Sequence, residues 1–135
     1  TIDNTASSFA GGYPAISNVG FDGFDLDVKA DEAGTSYYVV AQEESGEPSV
    51  SQITNGNNAD GSSARESGSF SITANTEQSS TISGLSEYTR YDVYVVVEDE
   101  AGNTNKASRL DELTDSVTAT FPIQTAFDVA SPTGW

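Results

Sequence analysis

The 135-residue chain contains no cysteine and no histidine, and these two absences remove most of the common catalytic and metal-binding chemistry. Without cysteine there is no disulfide, no thiolate zinc site and no cysteine nucleophile. Without histidine the chain lacks the usual general base and the commonest ligand of transition metals. Carboxylates, tyrosines, hydroxyls and two lysines remain, so a pair of acidic residues of the glycosidase type is the one plausible catalytic arrangement.

Positive charge is scarce as well. Five lysines and arginines stand against 21 aspartates and glutamates, which gives a net charge of −16 at pH 7. Nucleic acids and anionic lipid surfaces are bound mainly through Lys and Arg, so we expect no nucleic-acid partner. No run of apolar residues approaches the roughly 20 needed to cross a bilayer, so we expect no membrane insertion. So acidic a surface is typical of a soluble extracellular module.

Hydrophobic periodicity predicts β-strands. Phe24, Leu26 and Val28 alternate with polar residues, which is the pattern of a strand with one buried face. The strongest strand signal lies at residues 91–97, and residues 37–41 form a second apolar run. Seven short strands separated by turn residues predict an antiparallel β-sandwich. The other predicted strands are at residues 16–21, 69–73, 81–82 and 115–121.

Some segments depart from this pattern. Val50 and Ile53 are three residues apart, behind Pro48, and predict a short helix within a long connection at residues 48–55. Leu110 and Leu113 have the same spacing and predict a helical turn at residues 107–113. The polar, Gly- and Ser-rich stretch at residues 57–68 predicts a loop.

One part of the sequence resembles a known family. Residues 84–95 read Gly-Leu-Ser-Glu-Tyr-Thr-Arg-Tyr-Asp-Val-Tyr-Val, and residues 99–103 read Asp-Glu-Ala-Gly-Asn. This resembles the E–F corner, F strand and F–G turn of bacterial fibronectin type III domains. The resemblance implies a seven-stranded, immunoglobulin-like sandwich over residues 11–121, between an N-terminal arm at 1–10 and a C-terminal tail at 122–135. It also implies that the Tyr91 hydroxyl ties the crossover loop to the sheet.

Two loops carry the same four residues, Asp-Glu-Ala-Gly, at positions 31–34 and 99–102. In a sandwich of this topology the two loops emerge at the same pole, which would bring four carboxylates together. Hard oxygen ligands in loops are what Ca²⁺ selects, yet the same residues are also good turn formers. A calcium site and a pair of ordinary turns therefore both remain open. The candidate ligands are Asp31, Glu32, Asp99, Glu100 and Asn103.

Aromatic residues suggest a second candidate site. Tyr38 and Tyr94 are predicted to face away from the core, side by side on one sheet, with Trp135 as a possible cap. Exposed aromatic rings beside carboxylates and amides are how proteins hold sugars. The alternative is a cross-strand pair that only stabilises the sheet, with Trp135 as a linker contact.

These features together predict a non-catalytic extracellular module of a bacterial secreted or surface protein, acting as a spacer or adhesion unit beside neighbouring domains. Two other functions stay open. One is a carbohydrate-binding module attached to a polysaccharide-degrading enzyme. The other is a subunit of a surface filament or layer, assembled with like subunits through residues 1–10 or 122–135. Enzyme activity is not expected, because acidic pairs such as Asp25 and Asp27 lie on a wet strand face that gives no reason for a raised pKa.

Overall fold

The computed structural model describes residues 5–43 and 45–114, which form an all-β sandwich of two antiparallel sheets with one short helix. One sheet has the strand order β1-β2-β5, and the other has β4-β3-β6-β7 with β8 also pairing with β6. The predicted all-β class is thus confirmed. The elements are β1 Ala15–Ser17, β2 Phe24–Val28, β3 Gly34–Gln42, α1 Val50–Thr54, β4 Glu66–Ile72, β5 Gln78–Ile82, β6 Arg90–Asp99, β7 Thr104–Lys106 and β8 Leu110–Leu113.

The main core lies between the two sheets. Strand β2 buries alternate residues there, as its hydrophobic pattern predicts, and β6 contributes every second residue from Tyr91 onward. Each large apolar side chain fully buried in such a core contributes about 1.5–3 kcal/mol of transfer free energy. The buried apolar residues of this core include Phe24, Leu26, Val28, Val40, Ile72, Ile82, Leu85, Tyr91, Val93, Val95 and Val97.

The second face of the β3–β6 pair is buried too. The long connection between β3 and β4 crosses this outer face, and its helix α1 inserts Ile53 against Val39 and Val96. Burial on both faces explains why β3 and β6 are continuously apolar rather than alternating. The sandwich therefore has a second, smaller core outside its main one.

Helix α1 confirms the short helix predicted in this connection. Ser49 caps it: its hydroxyl accepts a hydrogen bond from the Gln52 amide at 3.2 Å, and the Gln52 side chain accepts one from the Ser49 amide at 2.9 Å. This reciprocal pair is a capping box, which satisfies backbone donors at the start of a helix too short to be stable alone.

The helical turn predicted at residues 107–113 is wrong, because Leu110–Leu113 is strand β8. Val96 of β6 pairs with Lys106, whereas Val93 pairs with Leu110, so three residues of the edge strand lie opposite two of β6. The extra residue is a β-bulge, and it divides one edge strand into β7 and β8. Residues three apart in a strand point to opposite faces, so Leu110 packs against the main core whereas Leu113, opposite Arg90, lies on the other face of the sheet.

Other predicted boundaries shift or fall outside the described part of the chain. Strand β4 begins at Glu66, so the loop predicted at residues 57–68 ends earlier. Residues 5–10 lie against the sandwich, where Phe9 bridges to Ala30 and the Ala10 amide donates to the Lys29 carbonyl at 2.8 Å. The strand predicted at residues 115–121 and the tail at 122–135 lie outside the described residues.

The crossover between the sheets is fixed by Tyr91. Its ring is buried in the main core, and its hydroxyl accepts a hydrogen bond from the Ser86 amide at 2.9 Å. Thr114 strengthens the same corner, since its hydroxyl accepts from the Thr89 amide at 3.0 Å and donates to the Ser86 carbonyl at 2.7 Å. The hydroxyl of Tyr91 thus makes the tie that the family resemblance implied for it.

Removing the Tyr91 hydroxyl tests the importance of this corner. We expect Tyr91→Phe to lower the free energy of unfolding by about 1–2 kcal/mol, because the Ser86 amide loses its acceptor. Tyr37→Phe is the control, since the Tyr37 hydroxyl makes only a 3.4 Å contact with Glu98. Urea unfolding measures both variants, and equal losses would show that the corner bond has no special role.

Candidate functional site

The two Asp-Glu-Ala-Gly loops lie at one end of the sandwich, called here the acidic pole. One loop precedes β3, the other follows β6, and Gly34 pairs directly with Asp99. A Cβ atom at Gly34 would lie 2.0 Å from the Glu98 carbonyl oxygen, so only glycine allows this close approach. Between the loops is an open cavity of about 560 Å³, whose lining includes Asp31, Glu32 and Glu100.

Two of the candidate ligands belong to the turn itself. The buried Asp99 carboxylate accepts hydrogen bonds from the amides of Ala101 at 3.0 Å and Asn103 at 2.9 Å. The Asn103 side chain donates back to the second Asp99 oxygen at 3.1 Å. Asp31 is also engaged, since its carboxylate accepts from the Ser8 amide at 2.8 Å. Turn formation therefore accounts for Asp99 and Asn103 without a metal.

A calcium ion needs six to eight oxygen ligands around one point. Within residues 5–43 and 45–114, no three or more acidic side chains are grouped so that they would hold a metal ion. Glu32 and Glu100 share the open cavity with Asp31 but do not form such a set with it. Calcium binding at this pole thus stays a prediction, while the turn explanation has specific contacts behind it.

Stability measurements separate the two explanations. We expect Asp99→Ala to lower the free energy of unfolding by about 1–3 kcal/mol, since two turn amides lose their acceptor. If Asp99 serves the turn alone, the loss is the same in 5 mM CaCl₂ and in chelator. Glu100→Gln, in the same loop, should change the free energy of unfolding little, both in CaCl₂ and in chelator. A wild-type melting temperature raised by Ca²⁺ more than by Mg²⁺, and no longer raised in Asp99→Ala, would instead establish a calcium site.

The aromatic pair predicted to bind sugar does not form an exposed surface. Tyr38 is 8% exposed and lies in the main core, whereas Tyr94 is 1% exposed and lies in the outer core. Tyr38 pairs with Val95, and Tyr94 pairs with Val39, so the two rings point to opposite faces of the same sheet. The expectation that they stand side by side is wrong.

Tyr38 belongs to the inward-facing residues of β3, with Val40, whereas Tyr94 is buried by the connection that crosses the outer face. The Tyr94 ring lies beneath it and its hydroxyl donates to the Gly46 carbonyl at 3.3 Å. Lys106 holds the same segment through Glu47 at 2.8 Å and the Pro48 carbonyl at 3.1 Å. The sequence indicated a helix in this connection but not what the helix covers. Trp135, the third candidate, lies outside the described residues.

An acidic pair that sequence reasoning missed lies on the outer face beside the bulge. Asp92 of β6 is 1% exposed and directly opposite Asp111 of β8. Arg109 lies beside both carboxylates, with its Nε 3.9 Å from Asp92 Oδ1 and 3.2 Å from Asp111 Oδ1. The interaction with the Asp92 side chain lowers the pKa of Asp111, and Arg109 lowers it further. The two residues are 19 positions apart in the sequence, and only the register of β8 against β6, which the bulge sets, brings them together.

This pair does not supply the general acid that glycoside hydrolysis requires. Such an acid needs a raised pKa to hold its proton near neutral pH, whereas the pKa of Asp111 is lowered. Asp25 and Asp27, the pair considered from sequence, are also structural: Ser79 donates to Asp27 at 2.6 Å and Thr81 donates to Asp25 at 2.8 Å. The expectation that Asp27 lies on a solvent-exposed strand face is wrong, because its side chain is buried.

The acidic pair makes stability depend on pH. Because the pKa of Asp111 is lowered in the folded chain, its ionised form stabilises the fold above the unfolded value of about 3.9. That contribution is lost as the pH falls through the folded pKa. We therefore expect Asp111→Asn to be less stable than wild type at pH 6–7, with the difference closing below about pH 4.

Asp92→Asn is the matched variant for this experiment. Its amide can donate a hydrogen bond to the Asp111 carboxylate and adds no titrating group, so we expect stability close to wild type at neutral pH. Urea unfolding between pH 2 and 7 measures all three proteins. An Asp111→Asn loss that does not change with pH would contradict the lowered pKa of Asp111.

Comparisons with known proteins do not assign the chain to a family. No protein-family model matches it, and a search of curated proteins finds no match. Among the described residues there is no helix with the length and apolar character required to cross a membrane. Function is therefore inferred from the geometry of the molecule.

Proposed function

We propose that this chain is a non-catalytic, fibronectin type III-like module of a bacterial secreted or surface protein, and that it acts as a structural spacer. The observation that carries the proposal is the position of the two ends of the described chain. They lie at opposite poles of the sandwich, so the domain extends a polypeptide instead of folding it back.

The N-terminal end lies at the acidic pole. The Asn103 side chain approaches the Thr5 carbonyl at 3.4 Å, and the Asp31 amide donates to the Ser8 carbonyl at 3.0 Å. The other end, Thr114, is bonded to Ser86 and Thr89 where β6 begins. The ten residues of β6 run from one pole to the other, a length of about 30 Å at 3.3 Å per residue.

The architecture supports the family resemblance. A three-stranded sheet packs against a sheet with β3 and β6 at its centre, and a buried tyrosine hydroxyl ties the crossover corner. Immunoglobulin-like sandwiches have this arrangement. The net charge of −16 favours a soluble module that does not adhere to anionic polymers, which supports a position outside the cell.

A spacer must bear load between its ends and remain monomeric. We expect the full chain, tethered by both ends in a force experiment, to unfold in one step that lengthens it by about 360 Å. That length is what the described residues gain when a fold about 30 Å long becomes extended.

Sedimentation of the same chain should show a monomer up to about 0.5 mM. Gradual extension without a rupture event would contradict a load-bearing role. Oligomers that grow with concentration and disappear when residues 1–10 or 122–135 are removed would favour an assembly subunit over a spacer.

A further inference from the structure

The pole opposite the acidic loops, called here the corner pole, carries an open cavity of about 600 Å³. Strand ends form its walls: Gln42 is the last residue of β3, and Arg90 is the first residue of β6. The corner tied by Tyr91 supplies the remaining wall. The lining residues are Gln42, Glu43, Tyr88, Thr89, Arg90 and Leu113.

Tyr88 is unusual in two independent ways. Its side chain is 68% exposed, and the only other exposed large apolar side chain among the described residues is Phe21. Its φ angle is +45°, a left-handed conformation in which a Cβ is crowded by the backbone. The other described non-glycine residues with positive φ, Asn18 and Asn75, are asparagines, which tolerate this conformation. Strained residues of this kind cluster at binding and catalytic sites, so an exposed aromatic ring held in this conformation points to a role in binding.

We propose that this cavity binds a neutral saccharide, with the Tyr88 ring as the stacking surface. The ring offers an apolar face to the C–H groups of a sugar, and the cavity supplies hydrogen-bonding groups of every kind around it. Arg90 only donates, Glu43 only accepts, and the Gln42 carboxamide does both. These are the partners that sugar hydroxyls require.

Charge argues for a neutral ligand. Arg90 and Glu43 balance one another within the cavity, whereas the chain as a whole carries −16. An anionic ligand would be repelled on approach, and a cationic one would be drawn equally to the acidic surface elsewhere. A neutral polyol gains from stacking and hydrogen bonds without either effect.

The site is largely formed before a ligand arrives. The backbone beside Tyr88 is held on both sides, since Ser86 donates to the Tyr91 hydroxyl and the Thr89 amide donates to Thr114. Gln42 and Arg90 belong to β-ladders through their pairing with Tyr91 and Leu113. A ligand therefore orders only side-chain ends, which reduces the entropic cost of binding. This inference does not depend on the spacer role.

The experiment uses the full chain and five neutral hexasaccharides: β-1,4-glucan, β-1,3-glucan, xylan, mannan and chitin oligomers. Binding is followed by calorimetry and by NMR saturation transfer. We expect at least one of them to bind, and Tyr88→Asn to weaken that binding at least tenfold. The same variant should melt about 3 °C higher, since asparagine accepts positive φ more easily than tyrosine. Greater stability with weaker binding is a combination that a purely structural tyrosine would not produce.

Phe21→Ser is the matched control, because Phe21 is 49% exposed in the loop that precedes β2 and does not line the cavity. We expect it to bind as wild type does. The proposal is overturned if no member of the panel binds at millimolar concentration, if Tyr88→Asn binds normally, or if Phe21→Ser loses binding to the same degree.

A second measurement decides whether the cavity is open in the whole protein. Acetylation of tyrosine by N-acetylimidazole, read by peptide mass spectrometry, should modify Tyr88 faster than the buried Tyr38, Tyr91 and Tyr94. The bound hexasaccharide should slow that reaction. Protection of Tyr88 in the ligand-free chain would mean that the cavity is already filled by part of the chain itself, such as residues 115–135, and would also overturn the proposal.

Discussion

The pairing of β3 with β6 along nine residue pairs is the constraint on which the rest of this structure depends. Its inner face, with Val40, Val93 and Val95, forms half of the main core, and its outer face forms the floor of the second core beneath α1. A sheet buried on both sides must exclude water from both, so the connection between β3 and β4 has a structural role as a cover. The remaining elements pack around this pair: β2 and β5 close the inner core, and the edge strands extend the sheet.

The same constraint explains where sequence reasoning succeeded. Alternation identified β2, continuous apolar residues identified β3 and β6, and the three-residue spacing of Val50 and Ile53 identified α1. These signals are local, because they depend on which residues of one segment meet water. The resemblance to fibronectin type III domains implied the bond of the Tyr91 hydroxyl at the corner, and its two partners, Ser86 and Tyr91, lie within one short stretch.

Failures came where the answer depends on contacts between distant segments. Tyr94 lies on the outer face of its sheet, which is exposed to solvent in a simple two-layer sandwich. Here the connection between β3 and β4 crosses that face and buries the Tyr94 ring. The bulge between β7 and β8 follows from two registers against β6, which no spacing within residues 104–113 reveals. The acidic loops lie at the same pole, as predicted from the topology. The side chains of Asp99 and Asn103, however, form hydrogen bonds within their own turn.

The bulge has a consequence for molecules of this kind when many are held close together. A long, regular edge strand presents a row of backbone donors and acceptors that another copy of the chain can extend into a shared sheet. Here the β7–β8 edge changes register at residues 107–109, so a regular strand cannot form hydrogen bonds with both β7 and β8 in one register. The interruption limits each match along this edge to three or four residues, so side-by-side pairing of crowded copies is disfavoured there, whereas the opposite edge strand β4 is continuous over seven residues.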